Sequence, residues 1–379
     1  MTKPQKKFAC MLWGGYAKGN TGDELCLAAA LERKQQEFGS NVAILSHLPE
    51  HTSALFPQAT VIPYVPPGMK WFGPRKRFIR ACKSLVTASG LSYFIQNGRL
   101  DPGYEWMRCL SRTDQLYLVG GGYLTDLFPL DLVIPPIRLG LEWRIPIATA
   151  PIGIGPFQSP IHEEQTTTAL RQIKLTVRDQ ASLDFCRAHN INASLEPDDA
   201  FAFIKNLSAS GPAKPPGTRT RKIGVCIFKQ YGQDANCDLT AWWTDCLHGL
   251  KAQHPEYEIE GFCFHTSPEA EFQEMTRLFS LAGLAAEHVF APVMDFKHTV
   301  EIVRGYDLVI STRFHATITA NVFNLPNIAI AVGDYYQAKM NAARLGYENI
   351  SSLINPASQP PAELLKMCKN KLAGRESEA

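Results

Sequence analysis

LSASGPAKPPGTRTRK, residues 207–222, is the stretch that decides how the chain is read. Small, Pro, Gly and basic residues replace every apolar period there, so it reads as a linker. On its N-terminal side short apolar runs alternate with longer helical stretches. FACMLWG (8–14), VAILS (42–46), QLYLVGGG (115–122) and IPIATAPIGIG (145–155) read as buried strands, and Thr21 to Phe38 as a Leu- and Ala-rich helix. On its C-terminal side the rhythm restarts. KIGVCIF (222–228), YEIEGFCF (257–264), DLVIST (307–312) and NIAIAV (327–332) read as strands, with helices at 239–253, about 268–281, 314–323 and 361–374. Strand–helix alternation means parallel βαβ units. The sequence therefore predicts an α/β protein of two Rossmann-like domains facing a central cleft: residues 1–206 on the acceptor side, the linker 207–222, residues 223–355 on the donor side, and a C-terminal helix and tail at 356–379.

Composition narrows the function classes. The chain has 379 residues and a formal net charge of +2, too small a field to argue for a nucleic-acid partner. No run of about 18 apolar residues occurs, so no membrane span is expected. MTKPQKKFACMLWGG lacks a signal-peptide apolar core, and the ten cysteines form no CxxC pair. Both point to a reducing, cytoplasmic setting. Near-neutrality conceals one asymmetry: Lys70 to Arg99 holds seven basic residues and no acid, interleaved with Trp71, Phe72 and Phe78. That stretch reads either as a solvated basic helix face or as a peripheral contact with a membrane surface or anionic acceptor.

Ligands in open parallel sheets bind beyond the carboxyl ends of the strands. GGYAKGNTGDE (14–24) follows the first strand and leads into a helix. Its glycines allow close backbone approach, and the helix start offers free N–H groups. The same residues fit an ordinary helix start capped by Thr21 or Asp23. VGGGYLTD (119–126) places Gly121 and Gly122 at a strand end with Asp126 beyond, as a ligand contact or a plain turn. TVRDQAS (176–182) puts Arg178 after an apolar run, to grip an anion or to pair with Asp179. STRFHAT (311–317) sets Arg313 and His315 at alternate positions where a helix begins, which would turn both to one face and make an anion site with a titratable proton donor. Lys339, after the last of these strands, either completes a cationic pocket or is solvated. FCFH (262–265) and His298 have no metal-ligand spacing, and no metal is assigned.

In order, GNTGDE, VGGGYLTD, GIGP, TVRDQAS, EPDDAF (196–201) and DLVISTRFHATITANVFNLPNIAI resemble the polysaccharide pyruvyl transferase family over roughly residues 12 to 346. The resemblance implies a GT-B-like arrangement. It also implies transfer of a pyruvyl group from phosphoenolpyruvate, as donor substrate and with no cofactor, to a sugar or lipid-linked oligosaccharide, usually as a ketal on two hydroxyls. It places donor contacts on Arg178, Arg313, His315 and Lys339. Acceptor contacts would fall on Gly19, Asn20, Gly22, Asp23, Gly121 and Gly122. His315 would be the general acid, with Asp23, Glu24 or Asp126 as base. The family's usual DPAF reads DDAF here, with Asp198 retained and Asp199 in place of proline. Two other readings use the same residues: a GT-B glycosyltransferase taking a nucleotide sugar, and a non-catalytic glycan-binding member.

Overall fold

A computed structural model describes residues 8–65, 102–210, 221–228, 238–267, 269, 271–293 and 295–376. The basic stretch 70–99 and most of the 207–222 linker lie outside the described residues.

All three sheets are parallel. The first has the strand order Thr60–Pro63, Val42–Ser46, Phe8–Trp13, Thr113–Leu118, Ile147–Thr149. VAILS is buried along its whole length, as expected of a strand covered on both faces. A second sheet of four strands runs Gly121–Leu124, Pro151–Ile154, Leu175–Val177, Ala193–Leu195. The expected single strands at 115–122 and 145–155 are therefore each two strands, in different sheets. The local causes are visible: Gly121 sits at φ 140, and Pro151 has no N–H to continue a ladder. The third sheet has the order Glu258–Gly261, Lys222–Cys226, Leu308–Ser311, Asn327–Ile330, Ser351–Ile354.

The chain separates into two compact units. One comprises Met1–Lys18, Ala30–Val177 and Ser182–Glu196, and holds the first two sheets around a core that includes Trp13, Trp106 and Leu116. The other comprises Pro197–Ala379 with Gly19–Ala29 and Arg178–Ala181, and packs the third sheet around Trp243, Phe279 and Ile310. Two stretches assigned from sequence to residues 1–206, GNTGDE and the VRD segment, thus sit with the second unit.

The helix Thr21–Phe38 has the span expected from sequence. Asp23 and Glu24 in its first turn favour the helix dipole. Gly39, at φ 62, donates its N–H to Gln35 O at 2.8 Å and closes the C-terminus. Its N-terminal cap is Asn20 rather than Thr21 or Asp23. Asn20 Oδ1 accepts the Gly22 N–H at 3.1 Å, and its carbonyl accepts those of Asp23 and Glu24. A short amide one residue upstream reaches the first free N–H groups, which residues already inside the helix cannot do.

Candidate active site

The turn Ser311–His315 links a buried strand to a buried helix. Ser311 Oγ accepts the Arg313 N–H at 2.8 Å, holding Arg313 extended, and the helix Phe314–Val322 begins at the next residue. Extended alternation therefore stops at Arg313, and Arg313 and His315 have separate partners. Arg313 Nε donates to Glu271 Oε1, and the guanidinium lies 3.8 Å from the centre of the Phe228 ring. Glu271 has no exposed surface. Its other oxygen accepts the backbone N–H groups of Phe264 at 2.6 Å and His265 at 3.1 Å. One carboxylate thus ties a strand-end loop to an arginine.

His315 belongs to a second cluster. Arg178 Nη1 donates to Asp198 Oδ2 at 2.8 Å, with both side chains almost wholly buried. Arg178 also lies over the Phe314 ring, 4.4 Å from its centre. Asp198 Oδ1 accepts the Ala200 N–H at 2.9 Å at the start of the helix Asp199–Ser210. His315 Nε2 stands 3.6 Å from Asp198 Oδ2 and 3.5 Å from Cys26 Sγ. Cys26 Sγ in turn donates to Asp198 Oδ1 at 3.6 Å. Burial works to raise the Asp198 pKa, but His315, Arg178 and the Ala200 amide outweigh it and hold the carboxyl well below the usual range. Burial, then the charge of Asp198, pushes the Cys26 thiol far up, so it stays a protonated donor. Cys26 Sγ, an Asp198 oxygen and a His315 nitrogen lie within 4.8 Å of one another.

The GNTGDE segment forms the neighbouring wall. Thr21 N donates to Phe264 O at 2.8 Å and Thr266 N to Gly19 O at 2.7 Å, pairing the segment with the Glu271-held loop. Gly19 has φ 81, and a Cβ there would meet Thr266 Oγ1 at 2.1 Å. Gly22 faces His315, where a Cβ would stand 1.9 Å from Nδ1. Any side chain at Gly22 would displace that ring. Asn20 Nδ2 holds Asp23 Oδ2 at 2.8 Å, and Glu24 is buried.

Lys339 comes from the helix Gly333–Arg344, with Nζ 5.7 Å from the centre of the Phe314 ring. Burial first, then Arg178 and Arg313, lowers its pKa to about 8 against the opposing pull of Asp23 and Asp179. Among the described residues no carboxylate forms an ion pair with it. His265, whose Nδ1 accepts the Ser267 N–H at 3.0 Å, is held to about 4 by burial and Arg313. It is a neutral imidazole at physiological pH.

Gly19, Asn20, Gly22, Asp23, Glu24, Arg178, Arg313, His315 and Lys339 all belong to the second unit. Gly121, Gly122 and Asp126 belong to the first. There Asp126 accepts the N–H groups of Gln158 at 2.9 Å and Ser159 at 2.7 Å, with His162 Nδ1 at 3.6 Å. Burial opposes ionisation of Asp126, and the two amides with His162 outweigh it and lower its pKa. Gly121 opens the strand Gly121–Leu124 and pairs with Ile152. Sequence reading missed Glu271, Cys26 and His265. Nothing around Glu271 marks it, because an acid before an amphipathic helix is commonplace.

The second unit thus holds Arg178, Arg313, Lys339 and His315 together with two buried carboxylates, Asp198 and Glu271. The family model for polysaccharide pyruvyl transferase matches residues 20–335, and the chain belongs to that family. No curated protein matches it in sequence. Among solved structures it is similar to HepE of Anabaena in complex with UDP-glucose (TM-score 0.58, 10% identity, covering 97% of this chain and 90% of that one). It is also similar to the UDP-GlcNAc 2-epimerase of Methanocaldococcus jannaschii (TM-score 0.53, 10% identity, 96% and 92%). A third is MnaA of S. aureus with UDP (TM-score 0.55, 9% identity, 96% and 87%). These likenesses agree with the α/β, GT-B-like fold expected from sequence. No helix among the described residues is long and apolar enough to cross a membrane.

Proposed function

We propose that the protein transfers a pyruvyl group from phosphoenolpyruvate to two hydroxyls of a sugar in a glycan or lipid-linked precursor. The observation that carries this is Lys339, a cation with no carboxylate pair among the described residues, in one unit with Arg178, Arg313 and His315. Phosphoenolpyruvate carries a carboxylate and a phosphate on three carbons, so it matches several cations in a small volume. His315 donates a proton to the methylene carbon, which becomes a methyl group and leaves a cationic centre at C2. One sugar hydroxyl attacks C2 and loses its proton to a carboxylate; Asp23, oriented by Asn20, fits that role. The C2–O bond to phosphate then breaks, a second hydroxyl closes the ketal, and its proton leaves with the phosphate. Each of these roles is filled by a side chain, so the reading asks for no cofactor.

The test is phosphate release from phosphoenolpyruvate with a panel of sugar and lipid-linked acceptors, with the pyruvylated product identified by mass. His315→Ala should lower kcat by about 10²–10⁴-fold while donor binding stays measurable. Near-normal turnover in that variant overturns the acid assignment. Sugar-nucleotide hydrolysis with no phosphate release from phosphoenolpyruvate overturns the whole reading in favour of a glycosyltransferase.

A further inference from the structure

We propose that Asp198 is a positioning residue for His315, holding the ring with Nε2 turned inward so that Nδ1, above Gly22, is the nitrogen that serves the substrate. What that nitrogen does rests on the pyruvyl-transfer reading; the orientation of the ring does not.

The geometry has two sides. On the inner side Nε2 meets the Asp198 carboxylate at 3.6 Å and the Cys26 sulfur at 3.5 Å. A nitrogen between an anion and a thiol sulfur carries the proton itself, because a lone pair there would face like charge. Cys26 keeps its own proton and gives it to Asp198 Oδ1, which leaves its sulfur lone pairs for Nε2–H. Asp198 has little freedom to do otherwise, being held by Arg178 Nη1 and the Ala200 amide. On the outer side Nδ1 engages no hydrogen bond among the described residues, and it faces the one position in the helix start where a Cβ is missing. Gly22 therefore does more than permit a turn. It lets the imidazole pack directly against the backbone at the N-terminal end of the helix Thr21–Phe38, whose first N–H groups are taken by Phe264 O and by Asn20.

The logic is that of an acid–histidine pair in which a buried carboxylate selects the tautomer and the opposite nitrogen does the chemistry. The difference lies in the support. The same carboxylate also holds Arg178, so one residue sets both a donor-binding cation and the proposed acid. The charged neighbours on the elements around His315 are Arg178 and Asp179, Asp198 and Asp199, Asp23, Arg313 and Lys339. Of these the Asp198 oxygen is the one placed at Nε2.

The experiment uses the full chain labelled with ¹⁵N-histidine, with the His315 resonances assigned from His315→Gln. Long-range ¹H–¹⁵N spectra read which nitrogen holds the proton. The wild type should show His315 in its neutral form as a single Nε2–H tautomer with Nδ1 bare. Asp198→Asn should mix the tautomers and lower kcat by about 10²-fold or more. Asp198→Glu should restore the tautomer and part of kcat, which loss of packing alone would not do. Donor KM is expected to rise in Asp198→Asn as well, because Arg178 loses its partner, so the tautomer and the Glu rescue are the deciding readouts. A wild-type ring protonated on Nδ1, or an unchanged tautomer in Asp198→Asn, overturns the proposal. Should Asp198→Asn fail to fold, Cys26→Ser decides: a moved Nε2 resonance supports the inward orientation, and an unmoved one overturns it. A correct tautomer in a protein that releases no phosphate from phosphoenolpyruvate would leave the orientation standing and sink the functional reading.

Discussion

Lys339 shows what one residue can report. Its pKa of about 8 means that it is charged below that pH and loses its proton as pH rises through it. An anion beside it favours the charged form and pulls the pKa back up. Donor binding near pH 8.5 should therefore take up a proton. Calorimetry in two buffers of different ionisation enthalpy should show this, and Lys339→Met should abolish it. Affinity in the wild type should also weaken as pH climbs past 8. An equal binding enthalpy in the two buffers would remove Lys339 from the donor site. Arg178, Arg313 and His315 stood out in the sequence as candidates because each follows an apolar run, and Lys339 because it lies in the segment after the last such strand. Glu271 and Cys26 did not, because nothing local separates a buried hub carboxylate or a packed thiol from its neighbours.

At the scale of elements, the loop Phe264–Ser267 and the turn Ser311–His315 are joined through Glu271. Its carboxylate spans two backbone amides and the Arg313 guanidinium with no exposed surface. Removing one partner of a buried pair strands the other charge, so Glu271→Ala should cost about 3–5 kcal/mol. The denaturant midpoint measures this, and a loss below about 1 kcal/mol would mean that the pair is solvated. Most strands and the helices Thr21–Phe38 and Leu239–Gln253 were legible from apolar periodicity. The change of sheet within 115–122 and 145–155 was not. Each run is continuously apolar, and the break is made by backbone geometry at Gly121 and by a missing donor at Pro151.

At the scale of the molecule, the linker at 207–222 suggested one boundary, whereas the second unit draws on three separate stretches of chain. Long-range pairing of this kind leaves no local mark, which is why GNTGDE and the VRD segment read from sequence as parts of the first domain. A saturating donor should reveal the grouping. At about 100 times Kd, ligand adds roughly 2.7 kcal/mol of stability. Hydrogen exchange should slow together across Thr21–Ala29, Arg178–Ala181 and Arg313–Thr317. Protection confined to 313–317 would show that the two N-terminal stretches take no part.

The grouping also sets an order of events during synthesis. Cys26 and Asp23 leave the ribosome about 290 residues before His315. At ordinary elongation rates that is an interval of roughly 15–60 s. Asp198 and the loop at 264–266, which contact Cys26, Thr21 and Gly19, emerge within that interval, and the ring that Gly22 faces emerges last. Until His315 is made, its contacts with Gly22, Cys26 and Asp198 cannot form.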